Sequence, residues 1–157
     1  MEEAVEVRIG KRLVELGQWV ATGESCTGGL IAHRITNVAG ASAYYRGGVV
    51  AYSNEAKVRL LGVREADIAR WGAVSETVTR QMAEGARARF EADWALGVTG
   101  IAGPTGGTSE KPVGLVYMAV AGKDGLFVTR HLFSGTRDEI KEQGASRALA
   151  LLWERLR

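Results

Sequence analysis

The sequence predicts an α/β domain in which helices cover both faces of a mixed, mostly parallel sheet. Three observations lead there. A strand, a polar turn and a helix follow one another twice within the first 63 residues, the pattern of parallel-sheet units. Two later apolar runs flank an Asp-Gly pair, a strong hairpin signal. The 157 residues suffice for one packed core without disulfide or metal staples, so residues 1–157 are expected to form a single domain.

Val5, Ile9, Leu13 and Leu16 recur at helical spacing and Gly17 stops the run, so the chain opens on an amphipathic helix. Residues 19–22 form a short apolar run suited to a buried strand. GESCTGG then leads into LIAHRITNV, a helix ending near Gly40. GGVVAYS reads as the next strand and NEAKVRLLGV as its helix, with Ser53 or Asn54 as N-cap. After Gly72, Ser75 can cap a helix whose Val78, Met82, Ala86 and Phe90 share a face. WALGVT is a strand that runs into the glycine-rich loop GIAGPTGGTSEKP. LVYMAVAG and LFVTRHLF flank Lys123-Asp124-Gly125 and are expected to pair antiparallel. Thr136 with Glu139 makes a capping box, and Ile140, Ala148, Leu151 and Leu152 give the closing helix its apolar face.

Composition narrows the functional classes. Hydrophobic residues make up 46% and charged residues 24%, and no apolar run reaches the ~18 residues of a membrane span. The acidic, helix-patterned start does not resemble a signal peptide. A single cysteine, Cys26, precludes an internal disulfide and a multi-cysteine zinc site, consistent with a reducing compartment, so the cytoplasm is expected. The formal charge is only +2 and the basic residues are scattered, which argues against a nucleic-acid partner. Two histidines, His33 and His131, leave little scope for histidine-based metal or triad chemistry.

Ligands of open α/β sheets bind at the carboxyl ends of strands, and four unusual segments fall there: residues 25–29, 52–57, 99–107 and 134–137. Ser25 sits where a strand turns toward a helix, with the amides of Cys26 and Thr27 placed to receive an oxyanion. It could equally be a simple N-cap, and Cys26 competes as the nucleophile. A serine nucleophile needs a base. His33 lies about two turns along the following helix and His131 in a strand, so Lys57 is the better candidate. Near a helix N-terminus and partly buried, its amine should have a lowered pKa. Tyr52 could relay a proton or hold the lysine. A solvated lysine and a core tyrosine are the plainer readings of these two. Arg137 opens the last helix, where a guanidinium and free amides could seat a phosphate; a surface arginine remains the alternative. The glycine-rich loop matches neither a P-loop nor the dinucleotide fingerprint and could be a connector.

Taken together, ESCTGG (24–29), YSNEAK (52–57), GAVSE (72–76), GVTGIAGPTGG (97–107), KPVG (111–114) and SGTR (134–137) resemble the nicotinamide-nucleotide amidase family, also known as the C-terminal domain of the competence/damage-inducible CinA proteins. The resemblance covers nearly the whole chain, in order. It implies a three-layer α/β/α sandwich, hydrolysis of nicotinamide mononucleotide to nicotinic acid mononucleotide and ammonia, and a role in pyridine nucleotide recycling. It implies catalytic roles for Ser25, Tyr52 and Lys57, which coincide with the residues reached from their placement. Ser75, Thr99 and Gly100 match positions expected to line the substrate pocket, and Arg137 one suited to the phosphate. A homodimer is implied, as is the absence of the N-terminal domain that larger family proteins carry.

Acyl transfer by this route requires neither metal nor redox cofactor. A non-catalytic, regulatory nucleotide-binding module and a competence- or DNA-damage-related role are the alternatives. Intact Ser25, Tyr52 and Lys57 argue against the first, and the lack of a basic patch against the second.

Overall fold

The structure, a computed structural model, describes residues 1–157. Its elements in chain order are α1 (Val5–Leu16), β1 (Val20–Glu24), α2 (Leu30–Thr36), a 3₁₀ turn (Ala41–Ala43), β2 (Tyr45–Val50), α3 (Asn54–Leu61), α4 (Glu65–Trp71), α5 (Glu76–Arg89), β3 (Trp94–Gly100), β4 (Leu115–Gly122), β5 (Gly125–Leu132) and α6 (Arg137–Leu156). One five-stranded sheet forms in the order β2-β1-β3-β4-β5.

β1 pairs in parallel with both β2 and β3, whereas the β3–β4 and β4–β5 ladders are antiparallel. The sheet is mixed, as expected. The hairpin strand β4 pairs antiparallel on both of its sides, so half of the ladders are antiparallel although only one strand is reversed. The hairpin loop is Lys123-Asp124, closed by the Gly122–Gly125 pair. Gly125, with φ of 146°, stands at the first strand position, just outside the loop proper.

Helices lie on both sides, which completes the α/β/α layering. Along β1 the side chains alternate, Val20 joining a core with Ile9, Leu13, Ile31, Ile35, Leu149 and Leu152, and Ala21 joining another with Leu61, Val78, Met82 and Ala86. The first core places α1, α2 and α6 on one face; the second places α3 and α5 on the other. Every residue of β1 is buried, as befits a central strand covered on both faces. β2, at the edge, alternates between half-buried and exposed residues. Arg34 of α2 ties its layer together, donating to Glu6 of α1 at 2.7 Å and to Ser146 of α6 at 2.6 Å.

α5 packs directly on the sheet because the strand residues beneath it are small. A Cβ on Gly97 would stand 2.6 Å from the Ala83 nitrogen and 2.9 Å from the Thr79 carbonyl oxygen. α4 is an element that the apolar periodicity did not reveal. It buries no residue fully and meets the α3/α5 core only at the rim, through the half-buried Ile68, so it lacks the stripe by which helices are read.

Candidate active site

β5 runs in the same direction as β1, β2 and β3, because two antiparallel ladders separate it from β3. The carboxyl ends of these four strands therefore share one edge of the sheet. The four polar segments singled out in the sequence follow those ends, so the topology gathers them. Ala51 N donates to Glu24 O at 2.8 Å and Ser25 N to Val98 O at 2.9 Å, which joins the ends of β2, β1 and β3.

Ser25 is buried, and its hydroxyl has no hydrogen-bonding partner within the chain. It begins a tight turn in which Gly28 N donates to Ser25 O at 3.0 Å. A tight turn followed by a helix is as expected, but the turn keeps Cys26 and Thr27 out of the helix N-terminus. Gly28 and Gly29 both adopt left-handed conformations, with φ of 60° and 98°, so helical geometry starts only at Leu30. The amides of Cys26 and Thr27 thus belong to the turn. Neither donates to a backbone carbonyl, so both can turn toward an anion. The Thr27 hydroxyl is committed, donating to Glu24 Oε1 at 2.6 Å.

Lys57 is the fourth residue of α3, whose N-cap Ser53 accepts from Ala56 N at 3.1 Å. The lysine is 2% exposed, and its Nζ has one partner, the Tyr52 carbonyl oxygen at 3.4 Å. No carboxylate pairs with it. Burial therefore holds its pKa below the ordinary lysine value, and a nearby Cys26 thiolate would push it the other way. Such a thiolate is disfavoured: burial, joined by the Glu24 charge, outweighs the opposing pull of the residue's own backbone amide and of the Lys57 and Lys141 charges and pushes the Cys26 thiol up to about 12. Burial thus acts on both groups in the same sense, favouring the neutral thiol of Cys26 and the neutral amine of Lys57.

Tyr52 is 60% exposed. It holds Lys57 through its carbonyl, while its hydroxyl accepts from Arg137 Nη2 at 2.7 Å. Arg137 also donates from Nη1 to the Gly103 carbonyl at 2.6 Å. This one guanidinium, at the first position of α6, spans the loops that follow β2 and β3. Thr136 caps that helix in a reciprocal box with Glu139, as the spacing predicts.

Ser75, Thr99 and Gly100 have structural partners. Ser75 Oγ accepts from Val78 N at 3.3 Å to cap α5 and donates to Gly72 O at 2.9 Å. Thr99 Oγ1 donates to Ala73 O at 3.2 Å. A Cβ on Gly100 would lie 2.7 Å from Leu115 O, so glycine there lets β3 and β4 close. His33 bonds to Asn37 on its own helix, and His131 bonds to Thr129 and stacks on Phe133, so neither histidine is coupled to Ser25. Two clefts, each of about 630 Å³, are lined by none of Ser25, Tyr52 and Lys57. A groove of about 530 Å³ flanks the serine turn, bounded by Thr27, Gly28, Gly29, His33, Asp138 and Lys141.

Sequence reasoning missed Glu24 and the Tyr52–Arg137 contact. Glu24 stands inside the ESCTGG motif, and a carboxylate in an otherwise apolar central strand was a usable signal. The contact joins residues 85 positions apart and left no local trace.

Fold and site define an α/β protein that presents serine, lysine, tyrosine and arginine at the carboxyl ends of co-directional strands. Residues 2–156 match the family model described as CinA C-terminal domain, and the chain belongs to that family. It is 55% identical over 141 residues to a CinA-like protein of Anaeromyxobacter dehalogenans (strain 2CP-C), across 90% of this chain and 35% of that protein. The chain thus spans about a third of the length of that relative. A protein of Escherichia coli (strain K12) named nicotinamide-nucleotide amidohydrolase PncC is 49% identical over 148 residues, covering 94% of this chain and 90% of the relative. The crystal structure of competence/damage inducible protein CihA from Agrobacterium tumefaciens superposes with a TM-score of 0.91 at 42% identity, covering 99% of each chain.

Proposed function

We propose that the chain is a deamidase that hydrolyses nicotinamide mononucleotide to nicotinic acid mononucleotide and ammonia, with Ser25 as nucleophile and Lys57 as base. The observation that carries the reading is the buried, counterion-free Lys57 at the sheet edge that also presents Ser25 and two amides without a carbonyl acceptor. The relative in Escherichia coli, matched over nearly its full length and named for that activity, supports the substrate class.

In this mechanism the Lys57 amine takes the Ser25 hydroxyl proton as Oγ bonds to the carboxamide carbon. The carbonyl electron pair moves onto oxygen, and the Cys26 and Thr27 amides stabilise that charge. On collapse the C–N bond breaks, and the Lys57 ammonium protonates the leaving nitrogen to give ammonia. Water then attacks the ester and gives a proton to Lys57, which returns it to Ser25 as the acid departs and releases its own proton to solvent. Tyr52 fixes Lys57 through its carbonyl, and Arg137 meets the 5'-phosphate with the donors that Tyr52 and Gly103 leave free. No redox or metal cofactor enters the scheme, and the reading includes a cytoplasmic homodimer.

The test is purified protein with nicotinamide mononucleotide, measuring ammonia and the acid product. One ammonia per nicotinic acid mononucleotide, lost in Ser25→Ala, is expected. Binding of the nucleotide without either product would favour the non-catalytic reading.

A further inference from the structure

Glu24 is 1% exposed at the end of a strand buried on both faces, where an unpaired carboxylate would be costly. It is fully engaged. Oε1 accepts from the Thr27 hydroxyl at 2.6 Å and from Ile31 N at 2.9 Å, and Oε2 accepts from Ala32 N at 3.1 Å. Ile31 and Ala32 lie in the first turn of α2, whose own cap residue, Gly29, has no side chain to offer. Glu24 therefore supplies from the strand the capping acceptor that the helix lacks, in charge-assisted bonds.

The clamp encloses the serine. Its side chain starts one residue before Ser25 and grips Thr27 two residues after it, while Ser25 N is fixed to Val98 O. Within this span the Cys26 and Thr27 amides have no carbonyl acceptor. We infer that Glu24 is a positioning residue for the deamidation, holding the serine turn so that Oγ and the two amides converge on one carboxamide. The inference rests on the functional reading above. Its requirement is an ionised, acceptor-only side chain: glutamine would set a donor against one of three donors.

The experiment compares Glu24→Gln, Thr27→Val and the double variant with the wild type, using nicotinamide mononucleotide as substrate and single-amide hydrogen exchange as a structural readout. Glu24→Gln is expected to lower kcat by about tenfold or more with KM within about twofold, because small misplacements at a reacting centre are costly. Thr27→Val, which removes one of the three bonds and keeps the side-chain shape, should lower kcat in the same direction and carries the test if Glu24→Gln does not fold. The double variant should be less impaired than the product of the single effects, since both act on one clamp. Ile31 and Ala32 amides should exchange faster in Glu24→Gln. An unchanged kcat in folded variants, or a loss confined to KM, overturns the inference. A wild-type protein that releases no ammonia overturns the functional reading instead, and unchanged exchange at Ile31 and Ala32 would separately overturn the clamp.

Discussion

The Tyr52 hydroxyl accepts a hydrogen bond from Arg137 Nη2 at 2.7 Å, joining the end of β2 to the start of α6. β2 is one edge of the sheet, and α6 follows β5, the opposite edge. The contact therefore closes the site over the central strands, and the second bond from Arg137 draws in the Gly103 loop. Any group that Arg137 binds is placed beside Tyr52, whose carbonyl in turn holds Lys57.

Arg137→Ala is expected to raise KM for nicotinamide mononucleotide by about tenfold or more and to change that for the phosphate-free riboside by less than about twofold, as befits one charge-assisted contact. Arg137→Lys should recover only part of the loss, because it lacks the planar fork that reaches two acceptors at once. Equal losses on both substrates would assign Arg137 to holding Tyr52 alone.

Ser25→Ala is expected to abolish deamidation, and Cys26→Ala to retain a substantial part of it. With its thiol pushed up to about 12 by burial, Cys26 stays a neutral, weakly nucleophilic thiol at pH 8. Iodoacetamide at that pH should leave activity intact over hours. Rapid inactivation blocked by the nucleotide would reverse the ranking.

Much of this was legible in the sequence because it is local. The capping box at Thr136 and Glu139, the stop at Gly17 and the Ser53 and Ser75 caps are all set by neighbouring residues, and all form. Lys57 could be read as a base from its position near a helix start, although its near-complete burial depends on packing. What escaped was decided by glycine conformation and by distance along the chain. The start of α2 at Leu30 was legible from the two glycines before it, but their positive φ angles, and so the shape of the turn they close, were not. The reach of Glu24 to Ile31 and Ala32 follows from that shape.

Gly97→Ala is expected to destabilise the fold by about 1–3 kcal/mol, the range for overpacking, because the new methyl would press on the Ala83 and Thr79 backbone and lift α5 from the sheet. A lower urea midpoint with an unchanged slope would show it. An unchanged midpoint would mean that α5 can shift without loss.

Dialysis against a chelator should leave deamidation unchanged. No group of three or more histidine, cysteine, aspartate or glutamate side chains is assembled that could hold a metal ion, and the proposed route draws its base and its oxyanion donors from the chain. Activity lost to the chelator and restored by one particular divalent ion would replace this mechanism with a metal-assisted one.

Lys57 offers a test that separates chemistry from stability. Burial lowers its pKa from the ordinary 10.5, so between the lowered value and 10.5 the unfolded chain binds more protons than the folded one. Stability attributable to this residue therefore rises with pH across that window, and the cost of enclosing an ammonium is greatest below it. Lys57→Met removes that cost and should unfold at the same or a higher temperature than the wild type at pH 7, with any advantage shrinking toward pH 10. Activity should also climb with pH in the wild type, along a limb whose midpoint lies below 10.5 and reports the site as a coupled whole. Lys57→Met and Lys57→Arg should both lack it, the second because guanidinium does not give up its proton in this range. A folded Lys57→Arg variant with near-normal turnover would make the lysine an electrostatic element, and the proton of Ser25 would then have to leave by another group.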